Sequence, residues 1–343
     1  MHFSIQLGAY CPSADYSGKK LFDDVLEQAV LCDRLGFESV TLTEHHLLNI
    51  LLMPAPLQFA VKIASVTEHL NIMMAVAVLP LHDMRIYAGE IVAADIFTDG
   101  RLLLGLGRGA FAFEMSRLGV PLSISREKFD ESVEVLQALL ARKEVSWHGK
   151  YYDFEPLTIM PRPMRKVPLM MACATATTIQ HCASRGFHVQ TTPLSDDQAQ
   201  MMTLIDAFHA GRQEAGSDGH ELTLSLSRVG LLTTNDSDKQ RKLAKASHYY
   251  DQFHNVFTGP GIVENGMVKP LPREQTVQEL EQALMFGPPT EMVDKLKFYE
   301  EVGVHRFMLN PNFGAGQNEI LETIQQFSEE VMSHFDGNQA QMG

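Results

Sequence analysis

Apolar and polar positions along the chain switch repeatedly between two periods. Residues 3–10 are apolar and strand-like, and residues 19–36 then place Leu21, Val25, Ala29 and Cys32 at spacings of three to four, which marks one buried face of a helix. Asp23, Asp24 and Glu27 lie near the start of that helix, where acids suit the dipole, and Gly36 closes it. The alternation continues with a strand over 37–46, a helix over 54–68 that opens with proline, and a continuous apolar strand over 70–80. A strand without polar alternation is what a parallel sheet covered on both faces requires. A helix over 84–100, a strand over 101–109 and a helix over 125–142, N-capped by Ser123 or Ser125, follow. Residues 145–161 alternate about a turn at 148–150 and predict a surface hairpin. The remaining strands are expected at 167–173, 187–193, 222–233 and 304–310, with helices at 175–186, 195–216, 236–257 and 318–335.

Eight strand–helix units of about 43 residues predict an α/β chain folded as one (β/α)8 TIM barrel domain over 1–343. An open doubly wound sheet would not need eight units. The segment 258–276 is rich in Gly and Pro and lacks periodicity. It is expected to be a long mobile loop, either a lid over the active site or a tolerated insertion.

Charge and cysteine content narrow the partners. With 28 basic and 42 acidic residues the net charge is −14, which disfavours nucleic acid and anionic membranes. No run of about 18 apolar residues suggests a membrane span, and the N-terminus lacks the pattern of a signal peptide. Four cysteines without CxxC spacing read as reduced thiols, implying a cytoplasmic protein.

Candidate chemistry gathers at the carboxyl ends of the predicted strands, where barrels carry their active sites. Glu44-His45-His46 ends the second strand. Strand alternation brings only one of the two histidines to the mouth, as a base near neutral pH or as a structural residue. Gly105-Leu106-Gly107-Arg108-Gly109-Ala110 ends the fourth strand. It is a poor dinucleotide fingerprint, because the region 20 residues on lies within a helix. Arg108 reads as an anion ligand or as half of a rim ion pair. Cys173 to Thr178 cross from the fifth strand into a helix, offering an anion site or a simple N-cap at Thr175. Ala75 to Pro80 carry no titratable group; small residues there leave room for a flat ring or merely fill a core. With no GxSxG elbow and no GxxxxGK[ST] loop, these residues describe a barrel binding a phosphorylated ligand beside a histidine.

In this order and spacing, LTEHH (42–46), AVAVLP (75–80), TDGRLLLGLGRG (98–109), ACATATT (172–178) and FGPPTEMVDKLKFYEEVGVHRFML (286–309) resemble the bacterial luciferase-like flavin monooxygenases, closest to the luciferase α-subunit pattern. The resemblance spans almost the whole chain. It implies reduced FMN (FMNH2) at the barrel mouth, His45 as catalytic base and Glu44 as an acid near the flavin. It also implies that Ala75 and Val76, joined by an often cis peptide, support the ring. Gly107, Arg108, Ala174 and Thr177 would hold the cofactor, and Tyr249 would line the substrate pocket. The implied activity is that of a two-component monooxygenase. A separate NAD(P)H:flavin reductase supplies FMNH2, and O2 adds to form a C4a-(hydro)peroxyflavin that oxygenates a small organic substrate. A homodimer through the second and third helices is expected. The rival readings are a flavin or deazaflavin hydride-transfer oxidoreductase and a flavin-binding relative without catalysis. Gly107 replaces a luciferase cysteine and Cys173 an acid, so light emission is not expected.

Overall fold

The computed structural model of the chain describes residues 1–193 and 198–335. Its elements run β1 (His2–Gln6), α1 (Gly18–Arg34), β2 (Ser39–Leu42), α2 (Pro56–Ala64), β3 (Asn71–Val78), α3 (Met84–Phe97), β4 (Leu102–Gly107), α4 (Ala112–Arg117) and α5 (Leu122–Ala141). There follow β5 (Val145–His148), β6 (Asp153–Leu157), β7 (Leu169–Ala172), α6 (Ala176–Ser184), β8 (His188–Thr191), α7 (Gln198–Glu214), β9 (Leu224–Leu232) and α8 (Asp236–Phe257). The chain continues with β10 (Val263–Glu264), β11 (Met267–Val268), α9 (Val277–Ala283), β12 (Met285–Gly287), α10 (Pro289–Glu301), β13 (Arg306–Asn310) and α11 (Gln317–Glu330).

Parallel pairing runs β9-β13-β1-β2-β3-β4-β7-β8, and β8 pairs with β9 to close the ring. This is the expected barrel of eight parallel strands with helices outside. Met73, Ala75, Met170 and Met308 form one buried cluster. They come from β3, β7 and β13, strands that are not all neighbours, so these side chains meet inside the barrel. Phe3, Ile5, Val40 and Phe307 pack outward against the helix layer.

The hairpin predicted over 145–161 is β5 and β6, antiparallel. Glu131 on α5 holds its turn, accepting from the Trp147 indole (3.1 Å) and from the backbone N–H groups of Lys150, Tyr151 and Tyr152. One helix start differs from expectation. α5 begins at Leu122 behind Pro121, without a side-chain cap, and the Ser125 hydroxyl donates instead to the Leu122 carbonyl. Residues 195–197 of the predicted helix over 195–216 lie outside the described residues.

The segment 258–276 is not a structureless loop. β10 and β11 form a short hairpin pinned to α8: Asn255 donates to the Ile262 and Lys269 carbonyls, and Gln252 donates to Val268 O. Val268 N–H donates to Asn49 at 2.8 Å, and Arg273 pairs with Asp251. Beyond it, α9, β12 and α10 fill a stretch where no element was expected, although Met292, Leu296 and Tyr299 keep helical spacing, and β12 pairs with Gly230–Leu232 of β9. No helix among the described residues is long and apolar enough to cross a membrane.

Candidate functional site

At the carboxyl end of the barrel a cavity of about 340 Å³ opens between the strand ends and α8. That volume lies in the range of small-ligand sites. Its floor is polar, with Gln6, Gln190, Ser227 and Asn310 from four strands, and Gln190 Oε1 and Thr43 Oγ1 are buried there without a hydrogen-bond partner among the described residues. One wall is aromatic. α8 presents Tyr249, Tyr250, Phe253 and Phe257, three of them one helical turn apart in succession, so they share a face. Phe111 joins them edge-on to Phe253 and Phe257. Burial pushes the Tyr249 hydroxyl far above its ordinary value, and pushes Tyr250 to about 12 against the opposing charges of Arg228 and Arg273.

His45 adjoins this wall. Its ring stacks on Phe111 with centroids 4.4 Å apart and planes 17° apart, and its Nδ1 lies 3.0 Å from Glu114 Oε2. Only this histidine lines the cavity. His46 turns its ring away, so that Nε2 lies 3.0 Å from Glu44 Oε1. Glu44, expected as an acid near the cofactor, is not among the cavity-lining residues either. It lies buried, with His82 Nε2 2.8 Å from Oε1 and Val78 N–H donating to Oε2 at 2.6 Å. Burial pushes the Glu44 carboxyl up. Hydrogen bonds from His46 and His82, the His82 charge and the Val78 amide outweigh that and hold it at about 2. The same hydrogen bond raises His46 above its ordinary value against the effect of burial.

The bed of the site lies between β3 and β4. The register of this pair shifts between Met74 and Ala77, and the Ala75–Val76 peptide is cis. Ala75 faces the cavity; Val76 does not. The glycines of β4 follow from this packing: a Cβ on Gly105 would sit 2.1 Å from Met74 O, and one on Gly107 2.3 Å from Val76 Cγ2. Gly107, expected at the cofactor, is buried beneath Val76 and is not among the cavity-lining residues.

Leu106 pairs with Met171, so the chain leaving β4 and the chain leaving β7 emerge side by side. Arg108 is exposed there and makes no ion pair or hydrogen bond among the described residues. On the neighbouring strand Cys173 and Ala174 line the cavity, and Thr175 caps α6 by accepting from Thr178 N–H at 3.3 Å. Ala174 and Thr177 are both exposed. The cap reading of Thr175 therefore stands beside, and not in place of, an open helix start.

Glu114, Phe111, His82 and the polar floor were not singled out from the sequence. The apolar pair Phe111 and Met115, four apart and followed by Gly119, was a legible signal for α4. Nothing local connects Glu114 with a histidine 69 positions earlier.

Known proteins bear on this arrangement. The chain is 24% identical over 347 residues to the oxygenase component of flavin-dependent trigonelline monooxygenase from Acinetobacter baylyi, covering 98% of this chain and 96% of that one. Among solved structures it is similar to monooxygenase RslO1 from Streptomyces bottropensis, with TM-score 0.82, 22% identity, and coverage of 98% and 100%. It is similar in fold also to an F420-dependent secondary alcohol dehydrogenase, with TM-score 0.77, 17% identity, and coverage of 96% and 97%. The profile of the luciferase-like monooxygenases matches residues 1–306, and the chain belongs to that family.

Proposed function

We propose that this protein is the oxygenase of a two-component system, taking FMNH2 from a separate NAD(P)H:flavin reductase and using O2 to oxygenate a small organic substrate. The observation that carries this reading is the free Arg108 guanidinium beside the start of α6 on adjoining strand ends, at the same mouth as His45. A guanidinium and open helix N–H groups suit a phosphate monoester. Gln190 Oε1 and Thr43 Oγ1, buried and without a partner among the described residues, suit the polar edge of a flat heterocycle, so the residues present fit FMN.

Reduced FMN, when bound, supplies the electrons that activate O2, with one oxygen atom going to the substrate and the other leaving as water. The chain supplies the setting. Arg108, Ala174 and Thr177 would hold the phosphate end, and the Ala75–Val76 backbone would support the ring. The aromatic wall around Tyr249 excludes water, and His45 moves a proton at the reacting centre. The four free thiols support a cytoplasmic setting. Ile86 and Phe97 on α3, 65% and 64% exposed, with Val66 just beyond α2, support a homodimer through these helices.

Anaerobic titration with FMNH2 and, separately, with reduced F420 tests the cofactor. We expect FMNH2 to bind and Arg108→Ala to weaken it by roughly 10- to 100-fold, the worth of a hydrogen bond to a charged group. Tight binding of reduced F420 with none of FMNH2 would favour hydride transfer. Adding reductase, NADH and ¹⁸O2 with a panel of aldehydes, sulfides, amines and trigonelline then tests for labelled product. A flavin complex that labels nothing favours the binding-only reading.

A further inference from the structure

We propose that Glu114 is the positioning residue that decides which nitrogen of His45 carries the proton. This rests on the reading of His45 as the base of the site, and the geometry behind it is local. The His45 backbone is pinned on both sides: its N–H donates to Met53 O at 3.3 Å, and its carbonyl accepts from Met53 N–H at 3.2 Å. Its ring is clamped between the face of Phe111 and the Glu114 carboxylate. Glu114 in turn is 2% exposed and carried on α4, whose Met115 packs against Val78 and Val120.

The two oxygens of Glu114 have different partners. Oε1 accepts the backbone N–H of His46, a donor that cannot reverse its role. Oε2 faces His45 Nδ1 at 3.0 Å. A carboxylate offers lone pairs only, so Nδ1 must present its hydrogen to it. The neutral ring then carries its proton on Nδ1 and keeps the lone pair on Nε2. That nitrogen has no protein partner among the described residues, on a ring that lines the cavity. A base needs that lone pair on the side of the reacting atoms. Glu114 thus sets the tautomer without itself touching substrate.

Glu114→Gln separates this role from mere packing, because it conserves shape and removes only the second acceptor. The amide oxygen must stay on the His46 N–H, since an NH2 group there would oppose a donor with a donor. The NH2 therefore turns to His45 and donates to Nδ1, and the proton moves to Nε2. Long-range ¹H–¹⁵N spectra of ¹⁵N-histidine-labelled, flavin-free protein at about pH 8 read this directly. We expect the Nδ1–H form for His45 in the native protein and in Glu114→Asp, and the Nε2–H form in Glu114→Gln. In the loaded enzyme, turnover should fall by roughly 10²- to 10⁴-fold in Glu114→Gln, the range for losing a correctly protonated base, with partial recovery in Glu114→Asp. FMNH2 affinity should change little. An Nε2–H form in the native protein or in Glu114→Asp overturns the proposal, as does a Gln variant that keeps Nδ1–H or inverts the tautomer at full turnover. Because the spectra need neither flavin nor substrate, a native protein without FMNH2-dependent turnover would sink the functional reading while the spectra still decide the role of Glu114.

Discussion

Replacing Glu44 by Gln keeps nearly every atom of the cluster behind the cavity and removes one charge. Gln oxygen can accept from Val78 N–H, and its NH2 can donate to the rings of His46 and His82 once those switch tautomer. What is lost is the stabilised anion. The ordinary carboxylate value is 4.5 and the buried Glu44 is held at about 2, a gap that corresponds to roughly 3 kcal/mol of folding stability near neutrality. Because the folded value is the lower one, this stability is complete above about pH 4.5. It is lost as pH falls toward about 2. His46 has the opposite sign. Its folded value is raised above 6.5, so its share is complete below 6.5 and is lost as pH rises through the folded value. The stability difference between native protein and Glu44→Gln should therefore be largest between about pH 5 and 6.5, and shrink on both sides. Urea unfolding followed by circular dichroism at a series of pH values measures it. A difference that is flat with pH, or that grows as the solution becomes more acidic than Glu44's ordinary value, would refute the account of this cluster.

Two further predictions concern packing and assembly. Gly107→Ala should cost about 1–3 kcal/mol, because its Cβ meets Val76 Cγ2, and Val76→Ala in the same chain should recover most of it. Denaturant midpoints of the two single variants and the double variant check this, and strict additivity would show that the two side chains do not compete. Phe97→Glu places a charge on the exposed apolar face of α3 and should halve the mass seen by light scattering without unfolding the barrel. A native protein that is already monomeric, or a variant that stays dimeric, removes that face as the interface.

The sequence by itself determined the architecture and the address of the candidate site. Eight repeats of a strand period and a helix period leave few ways to close a parallel sheet, and they put Glu44-His45-His46, Arg108 and Ala174 just past strand ends that share one mouth. Side-chain alternation also foretold that one histidine of the pair would face the cavity, because adjacent residues point opposite ways. Only tertiary structure decided which one, and what held it. Glu114 reaches His45 across 69 positions, and Gly105 and Gly107 owe their identity to β3 lying against them more than to a phosphate. The segment 258–276 lacks periodicity because individual side chains, Asn49, Gln252 and Asn255, bond to its backbone, whereas α10 further on keeps an ordinary helical spacing at Met292, Val293, Leu296 and Tyr299. Periodicity reports the direction in which neighbouring side chains point. Contacts between distant segments arise only when the barrel closes, and in this protein those contacts surround His45.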